Sequence, residues 1–292
     1  MKLAFLGIGQ MGAAMAARLV QAGFSVCVYN RTIEKCESLQ AMGASVAKTP
    51  AEAVTGAGII FTMLADDTAL SETMSRETFK NMLPGAIHVC MSTISTSMAS
   101  HMMESHTRKK RGYLACPVFG RPDAAAAGKL RLCLSGDPVL KERVVPYLSP
   151  MGEIWDFGTS PVGANIIKLA GNFMICSMVE LLSEAFSLVE SHGMDPMEFS
   201  RFISTTLFSA PIVQTYSCLI LEADFDNAGF TARLAAKDMG LVRDAAKAGN
   251  TPMAFAAIVE NRFLSAIAKG RGEKDMSVIS HAQREDAGLV KN

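Results

Sequence analysis

The first dozen residues constrain this chain more than any other stretch. An apolar run, Leu3-Ala-Phe-Leu6, leads into Gly7-Ile8-Gly9-Gln10-Met11-Gly12. A helical pattern follows to about Ala22, Gly23 stops it, and a second apolar run covers 24–29. Strand, G-x-G-x-x-G, helix and strand in this order make a dinucleotide-binding unit. Glycine at 7 and 9 lets the backbone approach closely, Gly12 lets the helix pack tightly, and the helix N-terminus receives a pyrophosphate.

The second strand ends in Asn30-Arg31-Thr32. A site for NAD usually carries Asp or Glu here, accepting from the ribose 2′-hydroxyl. A neutral Asn30 followed by Arg31 and Thr32, with Lys35 one turn further, suits the 2′-phosphate of NADP through charge-assisted hydrogen bonds. NADP is therefore expected, with NAD possible if Arg31 faces solvent. Alternation continues with a short helix over 50–56 and strands over 58–64, 86–91, 113–118, 131–134 and 151–157, punctuated by Gly, Pro and polar clusters. This predicts an α/β, doubly wound Rossmann domain over 1–160. Met63 and Leu64, at the C-terminal end of their strand, are expected beside the nicotinamide ribose, and Ser92 and Thr93 beside the nicotinamide.

After Ser160 the strand signals vanish. Segments 162–191, 195–205, 210–222, 229–249, 252–270 and 275–283 read as helices, giving an all-α domain over 161–292 joined to the sheet by the first and longest. In that helix Lys168 is the only charge between Val162 and Met178, with apolar residues on nearly every face. Asn165, Lys168 and Asn172 fall on one side. A lysine buried without a carboxylate is costly, and its pKa falls, which suits acid–base work; the alternative is a lysine that snorkels to solvent or to a distant acid. Glu180, Glu184 and Glu190 read as ordinary polar faces.

Composition narrows the classes. Lys plus Arg and Asp plus Glu both total 28, so no global field favours nucleic acid or an anionic membrane. The run Arg108-Lys-Lys-Arg111 reads as a solvated helix end. Seven scattered cysteines without C-x-x-C spacing read as reduced thiols in a reducing, cytoplasmic setting. Five histidines show no metal-ligand spacing, and no metal is expected. No uninterrupted apolar run reaches the ~18 residues of a membrane span. The first strand begins at Lys2, leaving no room for a signal peptide.

Four places together resemble the β-hydroxyacid dehydrogenase family over the whole chain. They are Gly7-x-Gly9-x-Met-Gly12, the loop Cys116–Gly128, the helix Gly163…Lys168…Asn172, and Gly229-Phe230 leading to Lys237-Asp238. The family includes 3-hydroxyisobutyrate dehydrogenases and glyoxylate/succinic semialdehyde reductases and is related to phosphogluconate dehydrogenase. The resemblance implies hydride transfer between a nicotinamide and a small hydroxy acid or semialdehyde, in a homodimer or homotetramer. It implies that Lys168 is the general acid–base, that Asn172 helps hold the substrate, and that Lys237 lies near cofactor and substrate. For Lys237 the other reading is a solvated pair with Asp238 on an exposed face. Imine reductases generally replace the lysine; its presence favours an active dehydrogenase.

The chain departs from the family in the substrate loop. The family pattern Asp-x-Pro-Val-Ser-Gly-Gly becomes Ala115-Cys-Pro-Val-Phe119-Gly120-Arg121. Phe119 replaces the serine that normally helps bind substrate, adding bulk and an apolar wall. Arg121 offers a planar fork for a carboxylate, or else covers the loop and faces water. Phe119, Gly120 and Arg121 join Lys168 and Asn172 as candidate substrate contacts. Two other readings stand beside this one: reduction of a bulkier carbonyl or imine, which Phe119 favours, and an NADP-binding sensor or scaffold without efficient catalysis.

Overall fold

Side chains alternate faces along a strand, and that alternation builds the first unit. The computed structural model describes residues 1–290. Among them, one sheet contains β1 (Lys2–Leu6), β2 (Val26–Tyr29), β3 (Ser45–Val46), β4 (Ala57–Thr62), β5 (Ile87–Cys90), β6 (Gly112–Ala115), β7 (Val118–Phe119), β8 (Leu130–Gly136) and β9 (Gly152–Asp156). The order is β3-β2-β1-β4-β5-β6-β8-β7, with β9 also paired to β8. Neighbours from β3 to β6 run parallel, β8 is antiparallel to β6 and β7, and β9 is parallel to β8.

A parallel sheet is buried on both faces, and the sequence supplies apolar side chains to both. Leu3, Phe5, Ile59, Phe61, Ile87, Val89 and Leu114 enter one core with Met15 and Leu19 of the helix Gln10–Gln21. Ala4, Leu6, Ile60, Cys90, Tyr113 and Ala115 enter the other with Ala99 and Met102 of the helix Thr96–Arg108. Strand order reverses direction between β1 and β4, where an open sheet leaves a crevice at its C-terminal edge. Leu6 stands in register with Tyr29 and with Thr62, so three loops leave the sheet at that crevice.

The strand expected over 113–118 is two strands. Pro117 has no N–H to donate to a ladder, and it separates Gly112–Ala115 from Val118–Phe119. Short elements such as β3 and the helices Asp67–Thr73 and Arg76–Asn81 left no readable period in the sequence.

The chain divides into two compact units, residues 1–168 and a second from Leu169 onward. The second is helical: the rest of the long helix Gly163–Ser191, then Pro196–Thr205, Pro211–Glu222, Ala232–Ala248, Ala254–Ala268 and Ile279–Asp286. Leu169, Cys176, Val179, Leu182 and Phe186 of the long helix pack with Val213, Tyr216, Met239 and Phe263. The helix expected from 229 starts at Ala232 because Thr231 caps it, its side chain accepting from the Leu234 amide. Glu180 is not part of an ordinary polar face. It is 1% exposed and pairs with Arg262 at 2.5 Å, a partner 82 positions away that no local spacing reveals. Glu190 pairs with Arg284 at 2.6 Å. By length and a mean hydropathy of 1.5 the long helix could cross a membrane. It carries a buried ion pair and packs into the core of the helical unit.

Histidine chemistry is hidden in the first unit. His88 on β5 and His106 on the helix Thr96–Arg108 are fully buried. His106 Nδ1 lies 2.6 Å from the Met102 carbonyl, which can only accept, so that nitrogen carries the proton. Nε2 of His106 then accepts from His88 Nδ1 at 3.2 Å, and His88 Nε2 accepts from the Thr62 hydroxyl at 2.9 Å. This chain of bonds needs both rings neutral. Burial, then the neighbouring ring, holds His88 well below the usual histidine range, and burial above all lowers His106 to about 4.

Depressed histidine pKa values give stability that is full above the unfolded value near 6.5 and is lost as pH falls towards the folded value. Unfolding free energies from urea titrations should therefore drop between pH 7 and pH 5, by up to about 1.4 kcal/mol per pH unit for each histidine. His106→Gln should flatten that slope. An equally steep slope in the variant would remove the pair as its cause.

Candidate active site

The loops after β1, β2 and β4 border a groove of about 370 Å³ lined by Gly7, Gly9, Tyr29, Asn30, Arg31, Thr32, Lys35, Met63, Leu64 and Ala65, and also by Pro50, Ala69, Glu72 and Thr73. Three glycines shape it. Gly7 has φ +100°, and a Cβ there would meet the Met63 carbonyl oxygen at 2.3 Å. A Cβ on Gly12 would lie 1.9 Å from the Gly7 carbonyl oxygen, so the helix approaches the turn only because Gly12 has none. Nothing stands within 4 Å of the place a Gly9 Cβ would take. Gly9 caps the helix Gln10–Gln21 without a side-chain bond, and no acid occupies that helix's first turn. Open backbone N–H groups at a helix N-terminus fit the diphosphate of a dinucleotide.

Asn30 ties the cradle together. Its Oδ1 accepts from the Ile8 amide at 2.9 Å, and its Nδ2 donates to the Thr32 carbonyl at 2.9 Å. The Ile8 side chain is buried at 1% exposure, and Met11 packs against the core. Of the turn residues, Gly7 and Gly9 line the groove. The Ser92 hydroxyl is buried and accepts from the Leu64 amide at 2.7 Å, so it fixes the loop after β4. Thr93, beside it, is half-buried. Tyr29, Ala65, Glu72 and Thr73 also line the groove, although no motif in the sequence marks them.

A second cluster lies around the start of the long helix. Ser135 of β8 accepts from the Ala164 amide at 3.0 Å and anchors that helix. Lys168 follows one turn later and is 9% exposed, so it does not snorkel to solvent. Its Nζ sits 4.0 Å from the centre of the Phe119 ring. Phe119 ends β7, and Gly120 follows at φ +136°. A side chain on Gly120 would press the Leu130 side chain at 2.6 Å. Arg121 is the half-buried N-cap residue of the helix Pro122–Ala126. The family resemblance groups residues 119 and 168 around one substrate; their direct contact comes from the structure.

In the second unit Asn172 is 4% and Asp238 2% exposed, and Asn172 Nδ2 donates to Asp238 Oδ2 at 2.5 Å. The other Asp238 oxygen is 2.8 Å from Lys237 Nζ. The solvated-pair reading of Lys237 and Asp238 therefore fails: the carboxylate is buried, accepts from the Asn172 amide and forms an ion pair with the Lys237 ammonium. No group of three His, Cys, Asp or Glu poised for a metal occurs among the described residues.

Comparison with known proteins decides the kinship. Residues 2–167 match the family model described as the NAD binding domain of 6-phosphogluconate dehydrogenase. Residues 163–282 match that described as NAD-binding of NADP-dependent 3-hydroxyisobutyrate dehydrogenase. The chain belongs to the β-hydroxyacid dehydrogenase family. Among its relatives, the uncharacterized oxidoreductase YfjR of Bacillus subtilis is 37% identical, covering 96% of this chain and 98% of the relative. Glyoxylate/succinic semialdehyde reductase 1 of Arabidopsis thaliana is 28% identical over 97% of this chain and 98% of its own length. Among solved structures, Mycobacterium tuberculosis 3-hydroxyisobutyrate dehydrogenase with L-serine is 26% identical, with a TM-score of 0.87, covering 97% of this chain and 99% of that one. As a β-hydroxyacid dehydrogenase the protein is an NAD(P)-dependent oxidoreductase acting on a hydroxyl group or the corresponding carbonyl.

Proposed function

We propose that this enzyme interconverts a small hydroxy acid and its aldehyde or keto acid with NADP(H), Lys168 serving as general acid–base. The observation that carries the reading is a lysine ammonium only 9% exposed and held over the substrate loop at 4.0 Å from Phe119. NADPH, when bound, supplies hydride from nicotinamide C4 to the carbonyl carbon. Gly7, Gly9 and the first-turn N–H groups would hold its diphosphate, and Met63 and Leu64 would border its nicotinamide ribose. The Lys168 ammonium donates a hydrogen bond to the carbonyl oxygen and gives up its proton as alkoxide character develops; for the reverse reaction the neutral amine takes it back. Asn172, fixed by Asp238, orients the substrate's polar end. Arg121 and Gly120 form the acid-binding side of the loop.

Arg31, Thr32 and Lys35 along the groove, beside a neutral Asn30 already engaged in backbone bonds, support NADP over NAD. Arg31→Ala should raise KM for NADPH by about 10-fold or more, in line with the ~1.5–3 kcal/mol of a hydrogen bond to a charged group, and leave KM for NADH nearly unchanged. Equal KM shifts for both cofactors would remove the assignment.

The substrate test is a panel of short semialdehydes and 3-hydroxy acids assayed with NADP(H), beside bulkier ketones and cyclic imines. Turnover of the short acids is expected. Turnover confined to the bulky carbonyls or imines would favour the second reading, which the Phe119 wall supports. A second copy of the chain is the expected partner: Met174, Leu181 and Leu188 present exposed apolar side chains along the long helix at intervals of one heptad. Unbridged cysteines, six of them buried, support a reducing compartment, which we take to be the cytoplasm.

A further inference from the structure

Phe119 stands where the family pattern has a substrate-binding serine, and its ring lies under the Lys168 ammonium at 4.0 Å from ring centre to Nζ. A ring face carries the negative lobe of the aromatic quadrupole and attracts a cation within about 6 Å of its centre, the more so where water is excluded. Lys168 meets that condition at 9% exposure. The contact acts only on the charged form, because a neutral amine has no charge for the ring to hold. We propose that Phe119 is a positioning residue for Lys168, its ring face seating the ammonium and favouring the protonated form that carbonyl reduction consumes. This rests on the acid–base reading of Lys168. It also gives the replaced serine a chemical meaning: the chain gives up one polar contact to substrate and gains control of the proton donor.

Other charged or titratable groups on neighbouring elements remain unchanged in the test. Cys133 on β8 is buried, its thiol pushed up by burial and drawn back by Lys168. Arg121 caps, and Asp123 lies in, the helix Pro122–Ala126 that follows Phe119. Asp156 is paired with Lys141 at 2.6 Å.

Phe119→Leu keeps apolar volume and removes the ring, and Phe119→Tyr keeps the ring. With NADPH and a carbonyl substrate, the alkaline limb of kcat/KM in Phe119→Leu should move to lower pH by about half to one unit. Phe119→Tyr should restore the wild-type limb, and KM for NADPH should stay the same in both. A purely structural role would lower activity evenly at all pH without moving the limb, and that result overturns the proposal. So does a limb in Phe119→Tyr shifted as far as in Phe119→Leu.

Acetic anhydride labelling of Lys168 across pH, read by mass spectrometry, follows the same proton without turnover. The Leu variant should label at lower pH than the Tyr variant, and coincident curves overturn the ring's role. Should Phe119→Leu not fold, Phe119→Met takes its place in both measurements. Full turnover in Lys168→Ala would instead remove the acid–base reading and leave the labelling result to stand or fall alone.

Discussion

Lys168→Ala should lose about 10²–10⁴-fold in kcat, the usual worth of a positioned acid–base group, while NADPH binds with unchanged Kd. The groove that takes the cofactor is built from Gly7, Gly9, Asn30, Arg31 and Met63, none of which depends on the lysine side chain. The loss should fall on kcat and kcat/KM together, as it does when a contact made only in the transition state is removed. Lys168→Arg should recover little, because a guanidinium keeps the charge but does not give up its proton. Cofactor titration by fluorescence and steady-state kinetics on the same preparation separate binding from chemistry. Near-wild-type turnover in Lys168→Ala, or a loss accounted for by weaker NADPH binding, would remove the lysine from the mechanism.

The largest stability effect is expected at Arg262. Its side chain binds Glu180, Asp286 and Gln283, and Glu180 has only 2% of its side chain exposed. Arg262→Ala leaves that carboxylate buried without its cation. Burial already pushes the Glu180 carboxyl up, with Arg262 offsetting part of the effect. Breaking a buried pair from one side costs about 3–5 kcal/mol, a large share of the ~5–15 kcal/mol that holds a domain together. The double variant Glu180→Leu, Arg262→Met should regain most of the loss, since an apolar pair of similar volume carries no stranded charge. Urea unfolding of the three proteins measures this. A double variant as unstable as Arg262→Ala would mean that packing, and not the orphaned carboxylate, sets the cost.

The readable parts of the chain were those where a local rule acts alone. The glycine turn needed only a strand before it and a helix after it, and Gly7 and Gly12 now show why: each would drive a Cβ into backbone. The helix around Lys168 was legible from its apolar surroundings and its single charge. Asn30 was read for its neutrality, but its bonds to Ile8 and Thr32 depend on how two loops meet. Long-range pairs stayed hidden for the same reason. The resemblance grouped Phe119 with Lys168 around a substrate but did not announce that ring and ammonium touch, and nothing near Glu180 announces Arg262. Asp238 was visible as the neighbour of Lys237, yet its burial against Asn172 comes from the packing of one helix on another. Pro117 was in plain sight, and its missing N–H splits a strand that the apolar pattern alone runs together.

The most direct test of the account is a crystal structure of the enzyme with NADP⁺ and a hydroxy-acid product, with one distance read from it. The Lys168 Nζ should lie within hydrogen-bond reach, about 2.6–3.2 Å, of the product hydroxyl whose carbon faces nicotinamide C4. An amine turned away from that hydroxyl, with another side chain or a water in its place, would contradict the account.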